Sequence, residues 1–401
     1  MISRRRALIL TGSALAAPLA MPNIAPAKQA PGVTDKEILL GQTMPYSGPA
    51  SSYAPIGKTE VAYMQMINDQ GGINGRTIKL LSVDDGYSPP KTVEQARKLV
   101  EEEGVAALLQ PLGTPTNMAI RKYMNVKKVP QLFCATGSSG FDLPQEFPWT
   151  IGWQCNYQIE GMVYARYILN EKPNAKIACL YQNDDSGLDF MKGFRDGLGD
   201  KVNQIVKAVS YEVTDPTVDS QIVELHSTGA DAFFAGGIPK FCAMALRKVR
   251  DLNWNPIYVI TTTMASVSSG IAPAGLDKGV GLITGSYMKD PSDPQWESDP
   301  AYKDWLAFMQ KYQPGADIKD INNVYGYCGA QTGLQVIRQC GNDLSRENMM
   351  KQAANLNFQL PMFHKGIPFN TTPTEFRGIR KLRLQKFDGK AWVPFGDPIS
   401  A

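Results

Sequence analysis

Histidine is almost absent from this chain of 401 residues, which holds two, His226 and His364, far apart in sequence. None of its six cysteines belongs to a CxxC pair, so a zinc site of the usual ligand spacing lacks its material. Also missing are a Gly-x-Gly-x-x-Gly after any strand signal, the full Walker-type phosphate loop and a Gly-x-Ser-x-Gly elbow. Nucleotide binding and serine hydrolysis therefore have no motif. An excess of one charge is lacking too: Lys+Arg 41 face Asp+Glu 38, and with Arg4, Arg5 and Arg6 set aside in an acid-free leader the remainder balances at 38 against 38. Such a chain is a poor partner for nucleic acid or an anionic membrane surface. Beyond the leader no segment approaches the roughly 20 apolar residues of a membrane span, so membrane insertion is not expected. What remains, 43% hydrophobic and 20% charged, is an ordinary globular composition with length for two domains.

The leader has its own pattern. Ser3 to Leu8 reads S-R-R-R-A-L, and an apolar stretch from Ala7 to Met21 follows, broken by Thr11, Gly12, Ser13 and Pro18. Ala25-Pro26-Ala27 then offers a small-x-small cleavage site, which predicts an export signal over 1–27 and a mature start at Lys28. The paired arginines resemble the twin-arginine class. No cysteine follows the site, so a lipoprotein anchor is not indicated and a periplasmic location is expected. That compartment permits disulfides among Cys134, Cys155, Cys179, Cys242, Cys328 and Cys340. Their connectivity is not readable, except that Cys328 and Cys340, about 18 Å apart on one expected helix, cannot bond each other.

Strand and helix signals alternate along the chain. Ile38–Gln42, Ile78–Val83, Val105–Leu109 and Val129–Cys134 read as strands, with helices over Thr59–Asp69 and Lys91–Glu103 between them. The pattern restarts with strands at Lys176–Tyr181, Ile205–Tyr211, Ala232–Ala235 and Ile257–Ile260, and helices over Leu188–Leu198, Val218–Ser227 and Met244–Arg250. Such alternation predicts an α/β protein of two doubly wound parallel sheets, whose ligands sit at the carboxyl ends of the strands. Asp290–Pro300 reads as a loop, Val324–Arg338 as a long helix, and Lys381–Phe387 with Asp388-Gly389 as a hairpin.

The strand-end loops offer little for catalysis. Asp84-Asp85 and Asp184-Asp185 fit turn and helix-start roles better than metal or acid-base roles. His226, beside Leu225 in a helix, reads as a surface or packing residue. Leu112-Gly113-Thr114 and Ala135-Thr136-Gly137-Ser138 carry uncharged donors and small residues. They fit either plain strand-to-helix turns or backbone amides that receive a carboxylate at a helix N-terminus. No catalytic constellation assembles, so no cofactor and no enzyme activity are expected; the alternative class is a secreted two-domain enzyme.

Several runs together resemble the leucine-isoleucine-valine-binding family of type I periplasmic solute-binding proteins, the receptors of ABC importers. They are Tyr46-Ser47-Gly48-Pro49 with Tyr53, Ile67-Asn68-Asp69-Gln70-Gly71-Gly72-Ile73-Asn74-Gly75, Asp84-Asp85 with Pro89 to Lys98, the Thr114 loop, Ala135-Thr136, Gly236-Gly237 and Asp388-Gly389. The resemblance covers the mature chain in order. It implies two lobes joined by three crossovers around a ligand cleft: 28–154 plus 285–377, and 155–284 plus 378–401. It places the carboxylate anchor at Leu112, Gly113 and Thr114 with Ala135, Thr136 and Gly137, an aromatic wall at Tyr53 and Tyr325, and lobe-two contacts at Tyr157, Ser186, Ile238 and Thr262. A monomer that hands its ligand to an inner-membrane ABC permease is implied.

The chain departs from that family where amino-acid receptors hold an ammonium. Ile260-Thr261-Thr262-Thr263 and Asn156-Tyr157-Gln158-Ile159 contain no acid, and a desolvated ammonium without a carboxylate partner is costly. The expected ligand is a small organic anion without an α-amino group. With Tyr53, Tyr157 and Trp153 as flat contacts, an aromatic carboxylate leads; a branched-chain amino acid or amide is the alternative within the class.

Overall fold

The computed structural model describes residues 29–400, so the expected export signal and its cleavage at Ala27 lie outside the described residues. The first sheet has the order β2-β1-β3-β4-β5. It is built from β1 (Glu37–Met44), β2 (Thr77–Asp84), β3 (Leu108–Leu109), β4 (Gln131–Cys134) and β5 (Thr150–Gly152), all parallel. Helices α1 (Ala54–Asp69), α2 (Pro89–Arg97) and α3 (Thr114–Lys127) make the crossovers. β4 is buried at every position, as a strand covered by helices on both faces must be. The segment expected as a strand over 105–109 shortens to two residues. Ala106 N–H still donates to Leu39 O and Gly41 N–H to Ala107 O, which pins that segment beside β1 outside the regular ladder.

After β5 the chain moves through Trp153 to Asn156 into a second unit: α4 (Tyr157–Glu171), β6 (Ile177–Gln182), α5 (Asp185–Leu198), β7 (Ile205–Tyr211), α6 (Asp219–His226), β8 (Ala232–Gly236), α7 (Pro239–Asp251), β9 (Ile257–Ile260) and β10 (Ile283–Ser286). Two strands from the far end of the chain, β13 (Lys381–Phe387) and β14 (Trp392–Ser400), complete a sheet ordered β14-β13-β10-β9-β8-β6-β7. β13 is antiparallel to both β10 and β14, the hairpin that Asp388-Gly389 announces. α4 and α5 approach closely because Gly161 and Gly193 face backbone: a Cβ on Gly193 would lie 2.0 Å from Gln158 O.

Between these units the chain returns to the first sheet. α8 (Pro300–Tyr312), α9 (Ile321–Cys340) and α10 (Arg346–Ala353) are followed by the small pair β11 (Asn357–Phe358) and β12 (Phe369–Asn370). The Arg346 guanidinium donates to Val105 O and Ala106 O at 2.8 and 2.9 Å, which ties α10 to the first sheet. The chain thus passes between the sheets through 153–156, 287–299 and 371–380, and Cys155 and Ile379 pair as a parallel bridge where two of these passages run side by side. All six cysteines are buried and free, so the disulfides that the expected compartment would permit do not form. Burial raises the pKa of each of the six thiols.

Candidate functional site

A cavity lies between the two sheets at the carboxyl ends of their strands, where open parallel sheets receive ligands. α3 points its N-terminus at it from the first lobe; α5 and α7 do so from the second, through Ser186 at the start of α5 and Ile238 at the cap of α7. α3 and α7 have no side-chain cap, so their first-turn amides and dipoles are attractive to an anion, whereas the Asp184 carboxylate already takes the Ser186 and Gly187 N–H groups of α5. Among the described residues no lysine or arginine lines the cavity, which leaves the α3 and α7 ends as its positive poles.

Ten of the twelve expected site residues line the cavity: Tyr53, Leu112, Gly113, Thr114, Ala135, Tyr157, Ser186, Ile238, Thr262 and Tyr325. Thr136 and Gly137 do not, and each stands behind a residue that does. Thr136 Oγ1 accepts the Ser138 N–H at 3.1 Å and lies 2.6 Å from Thr114 Oγ1. Either hydroxyl can donate in that pair, so Thr136 holds Thr114 in place from behind. Gly137 is needed for space, since a Cβ there would lie 2.0 Å from Cys155 O and 2.7 Å from the Tyr157 ring. Gly113 combines both demands: its φ is +104°, and a Cβ would lie 2.5 Å from the Tyr87 ring.

Aromatic rings make much of the wall. Tyr157 stacks on Phe190 at 4.1 Å and its hydroxyl donates to Gln154 Oε1 at 2.6 Å. Tyr53 OH donates across the cleft to Thr263 O at 2.8 Å. Tyr325 OH is buried without a partner. Trp153, expected to face the ligand, does not line the cavity. It is fully buried, donates to Thr332 Oγ1 at 2.9 Å and packs on Tyr325 at 4.5 Å, so it backs the wall.

Sequence reasoning missed Tyr87, Gln154, Gln182, Phe190, Tyr287 and Asp290, which also line the cavity. Asp290 is a carboxylate at the cavity that lies outside the two acid-free stretches, where an ammonium partner is expected. It is buried, its Oδ1 accepts the Ser292 N–H at 2.8 Å, and burial raises its pKa to about 6. Glu160, one residue past the acid-free stretch, is a second acid outside them: its carboxylate lies directly beneath Thr262, bonded to its N–H at 2.6 Å and its Oγ1 at 2.9 Å. The signal for Glu160 was an acid within the apolar stripe of Tyr157, Tyr164 and Ile168 on α4. Asp84 and Asp85 do serve turns, Asp84 taking the Ser47 N–H and Lys91 Nζ, Asp85 the Tyr87 N–H. Asp184 caps α5 through the Ser186 and Gly187 N–H groups. His226 lies on α6 against Trp254, at 5.6 Å between ring centroids.

A cavity between two α/β lobes, lined by hydroxyls, amides and aromatic rings, is suited to hold a small molecule. The profile of the periplasmic binding protein family matches residues 37–391, and the chain belongs to that family, the substrate-binding components of ABC transporters, which are not enzymes. Similar curated proteins include Leu/Ile/Val-binding protein homolog 1 of Brucella abortus, 23% identical over 355 residues that cover 85% of this chain and 86% of that one. An amino acid binding protein of Pseudomonas aeruginosa is 21% identical over 74% of this chain and 77% of its own. Among solved structures, a branched-chain amino acid ABC transporter protein of Thermus thermophilus with bound valine superposes with a TM-score of 0.82 at 18% identity, covering 92% of this chain and 98% of that one. A fatty acid ABC transporter substrate-binding protein of Thermomonospora curvata gives 0.76 at 21% identity, covering 94% and 95%. At these identities the structures speak for the fold.

Proposed function

We propose that this receptor closes on a small organic carboxylate with a flat or bulky apolar body, an aromatic carboxylate in the first place, and presents it to an inner-membrane ABC permease. One observation carries the reading: the uncapped N-termini of α3 and α7 meet on a cavity that Thr114 lines, and among the described residues no lysine or arginine lines it. In this reading the carboxylate sits at Leu112, Gly113, Thr114 and Ala135, with Thr136 and Gly137 supporting them from behind. Tyr53, Tyr157 and Tyr325 flank the body, and Ser186, Ile238 and Thr262 meet it from the second lobe. The receptor works as an exported monomer, with a signal over 1–27, one lobe formed by 28–154 plus 285–377 and the other by 155–284 plus 378–401. The boundary expected at 284/285 falls inside β10, whose four residues all pair in the second sheet, so the second lobe runs to Ser286.

A second reading has its own observation. Asp290 lines the cavity, and an acid there offsets the penalty of a desolvated ammonium, which favours a branched-chain amino acid or its amide. The relatives named for leucine, isoleucine and valine lie on that side. A thermal-shift panel decides between the two, because a ligand that binds the native state raises the melting temperature by mass action. Benzoate, cinnamate and phenylpropanoate are set against phenylalanine, and 4-methylpentanoate against leucine. Greater stabilisation by the deaminated members supports the aromatic carboxylate; greater stabilisation by the amino acids overturns it in favour of the second reading.

A further inference from the structure

Glu160 is wholly buried and does not line the cavity, yet it touches Thr262, which does. Its two oxygens are used differently. Oε1 accepts the Thr262 N–H at 2.6 Å and the Tyr164 hydroxyl at 2.8 Å. Tyr164 is held in turn, its oxygen accepting the Gly285 N–H at 2.8 Å. Oε2 has one partner, Thr262 Oγ1 at 2.9 Å. A carboxylate can only accept, whereas a carboxylic acid has one hydrogen to give. With Oε1 occupied by two donors, that hydrogen belongs on Oε2.

We infer that Glu160 sets, from outside the cavity, whether Thr262 presents the ligand with a hydrogen-bond acceptor or a donor. When Glu160 is ionised it takes the Thr262 hydrogen, and the threonine oxygen faces the cavity with lone pairs alone. The site then selects a carboxylate that carries a donor, such as an ammonium, amide or hydroxyl. When Glu160 is protonated it donates to Thr262, whose own hydrogen is released toward the cavity. The site then selects an acceptor, such as an oxo group. Glu160 is a positioning residue in this scheme, which rests on the reading that Thr262 meets the ligand.

The groups around Glu160 allow both states. Tyr157 and Tyr164 lie around it on α4, Cys155 in the passage into that helix, and Tyr287 just beyond β10. Burial raises its pKa to about 7, against the lowering effect of the Thr262 and Tyr164 hydrogen bonds. Asp290, whose pKa burial raises to about 6, also lines the cavity, so a pH profile needs a variant to assign it.

The test compares dissociation constants by calorimetry for two matched pairs, leucine with 4-methyl-2-oxopentanoate and phenylalanine with phenylpyruvate, at about pH 8 and about pH 5.5. Glu160→Gln keeps an oxygen for the Thr262 N–H and Tyr164, and puts an amide N–H on Thr262 Oγ1 at every pH. The oxo-to-amino affinity ratio is expected to rise roughly three- to tenfold on acidification in the wild type and in Asp290→Asn, the worth of one hydrogen bond. In Glu160→Gln the ratio is expected to be raised already at the higher pH and to stay level. In a Thr262→Val background the substitution should no longer move it. An unchanged ratio in Glu160→Gln, or a pH response lost in Asp290→Asn instead, overturns the inference and leaves the carboxylate reading standing. Failure of all four probes to bind overturns that reading and the inference with it. Should Glu160→Gln not fold, a pH response present in the wild type and absent in Thr262→Val supports the inference, and one that persists in Thr262→Val overturns it.

Discussion

Asp189 on α5 takes both the backbone N–H and the hydroxyl of Ser139, which follows β4 in the other lobe, each at 2.7 Å. Ser138 Oγ donates to the same carboxylate at 2.7 Å, and Gln158 Nε2, from its own lobe, at 2.8 Å. Three of the four donors are therefore lost to Asp189 if the lobes part. At 8% exposure the carboxylate is largely shielded from water in this arrangement of the lobes.

Removing this latch should lower affinity without touching the ligand. Apparent affinity scales with the population of the competent closed state, and a hydrogen bond to a charged group is worth about 1.5 to 3 kcal/mol. Asp189→Ala is expected to weaken binding roughly tenfold to a hundredfold, chiefly by faster release. Small-angle scattering gives the companion result: a smaller radius of gyration at ligand saturation in the wild type, and a larger one for the unliganded variant. Equal affinity in Asp189→Ala would remove the latch from the closure equilibrium.

Thr114→Ala tests the anchor. It deletes the hydroxyl that Thr136 holds in place and should cost about 1.5 to 3 kcal/mol toward carboxylate ligands. Thr136→Val should weaken binding less, because Thr114 keeps its oxygen and loses only the partner that orients it. Calorimetry on both variants, with melting curves to show that the fold persists, gives the order; a Thr114→Ala protein with native affinity would move the anchor elsewhere.

Gly137→Ala separates lining from support. Its methyl would meet Cys155 O at 2.0 Å and the Tyr157 ring at 2.7 Å, distances that neither backbone nor a stacked ring can yield cheaply. A loss of about 1 to 3 kcal/mol in stability is expected, together with weaker binding as Tyr157 shifts. Chemical denaturation and calorimetry on one preparation measure both, and an undisturbed Tyr157 would be visible as native affinity.

Stability should fall as pH rises toward neutrality. Burial pushes the carboxyls of Asp142 and Glu160 up to about 7 and those of Asp290 and Asp320 up to about 6, and it holds Glu60 well above its ordinary value against the hydrogen bond from Gln42. A group that binds its proton more tightly when folded adds stability below its unfolded pKa and loses it as pH climbs through the folded one. Glu375 and Asp231 run the other way, held low by hydrogen bonds from Arg377 and Lys172, and their contribution vanishes in acid. The melting temperature is expected to be highest near about pH 5 and to decline toward about pH 7.5. Glu60→Gln should raise it at the upper end and flatten the slope; a steeper decline in that variant would exclude Glu60 as a source.

Local pattern carried the architecture where it had little competition. β7 and β9 stand where alternation and β-branching place them, and the Asp388-Gly389 turn joins β13 to β14. α4 escaped because Glu160, Gly161 and Gln158 interrupt its apolar face, and their reasons lie in α5 and Thr262, distant in sequence. Asp290 was lost for a related cause. Its Pro, Asp and Ser neighbours read as a solvent loop, yet the Met288–Phe363 bridge and the Lys289 N–H on Met362 O fold that loop inward. Tyr53, Thr114 and Thr262 were legible through family resemblance, since a tyrosine or threonine at a strand end has no chemistry that marks it alone. Trp153 shows the converse: an aromatic beside the cleft can be its foundation.

β10 has as its neighbours a strand made shortly before it, β9, and one made almost a hundred residues later, β13. While the ribosome is still adding α8 through β12, the edge of β10 that β13 will cover has no partner, and an open edge invites pairing with another chain. The first sheet waits in the same way for Arg346 to reach Val105 and Ala106. Each sheet stays incomplete until its late segment has been made, and is exposed to misassembly in that interval. Loss of the final hairpin would therefore damage more than the tail, leaving the second lobe permanently in the form it has midway through its own manufacture.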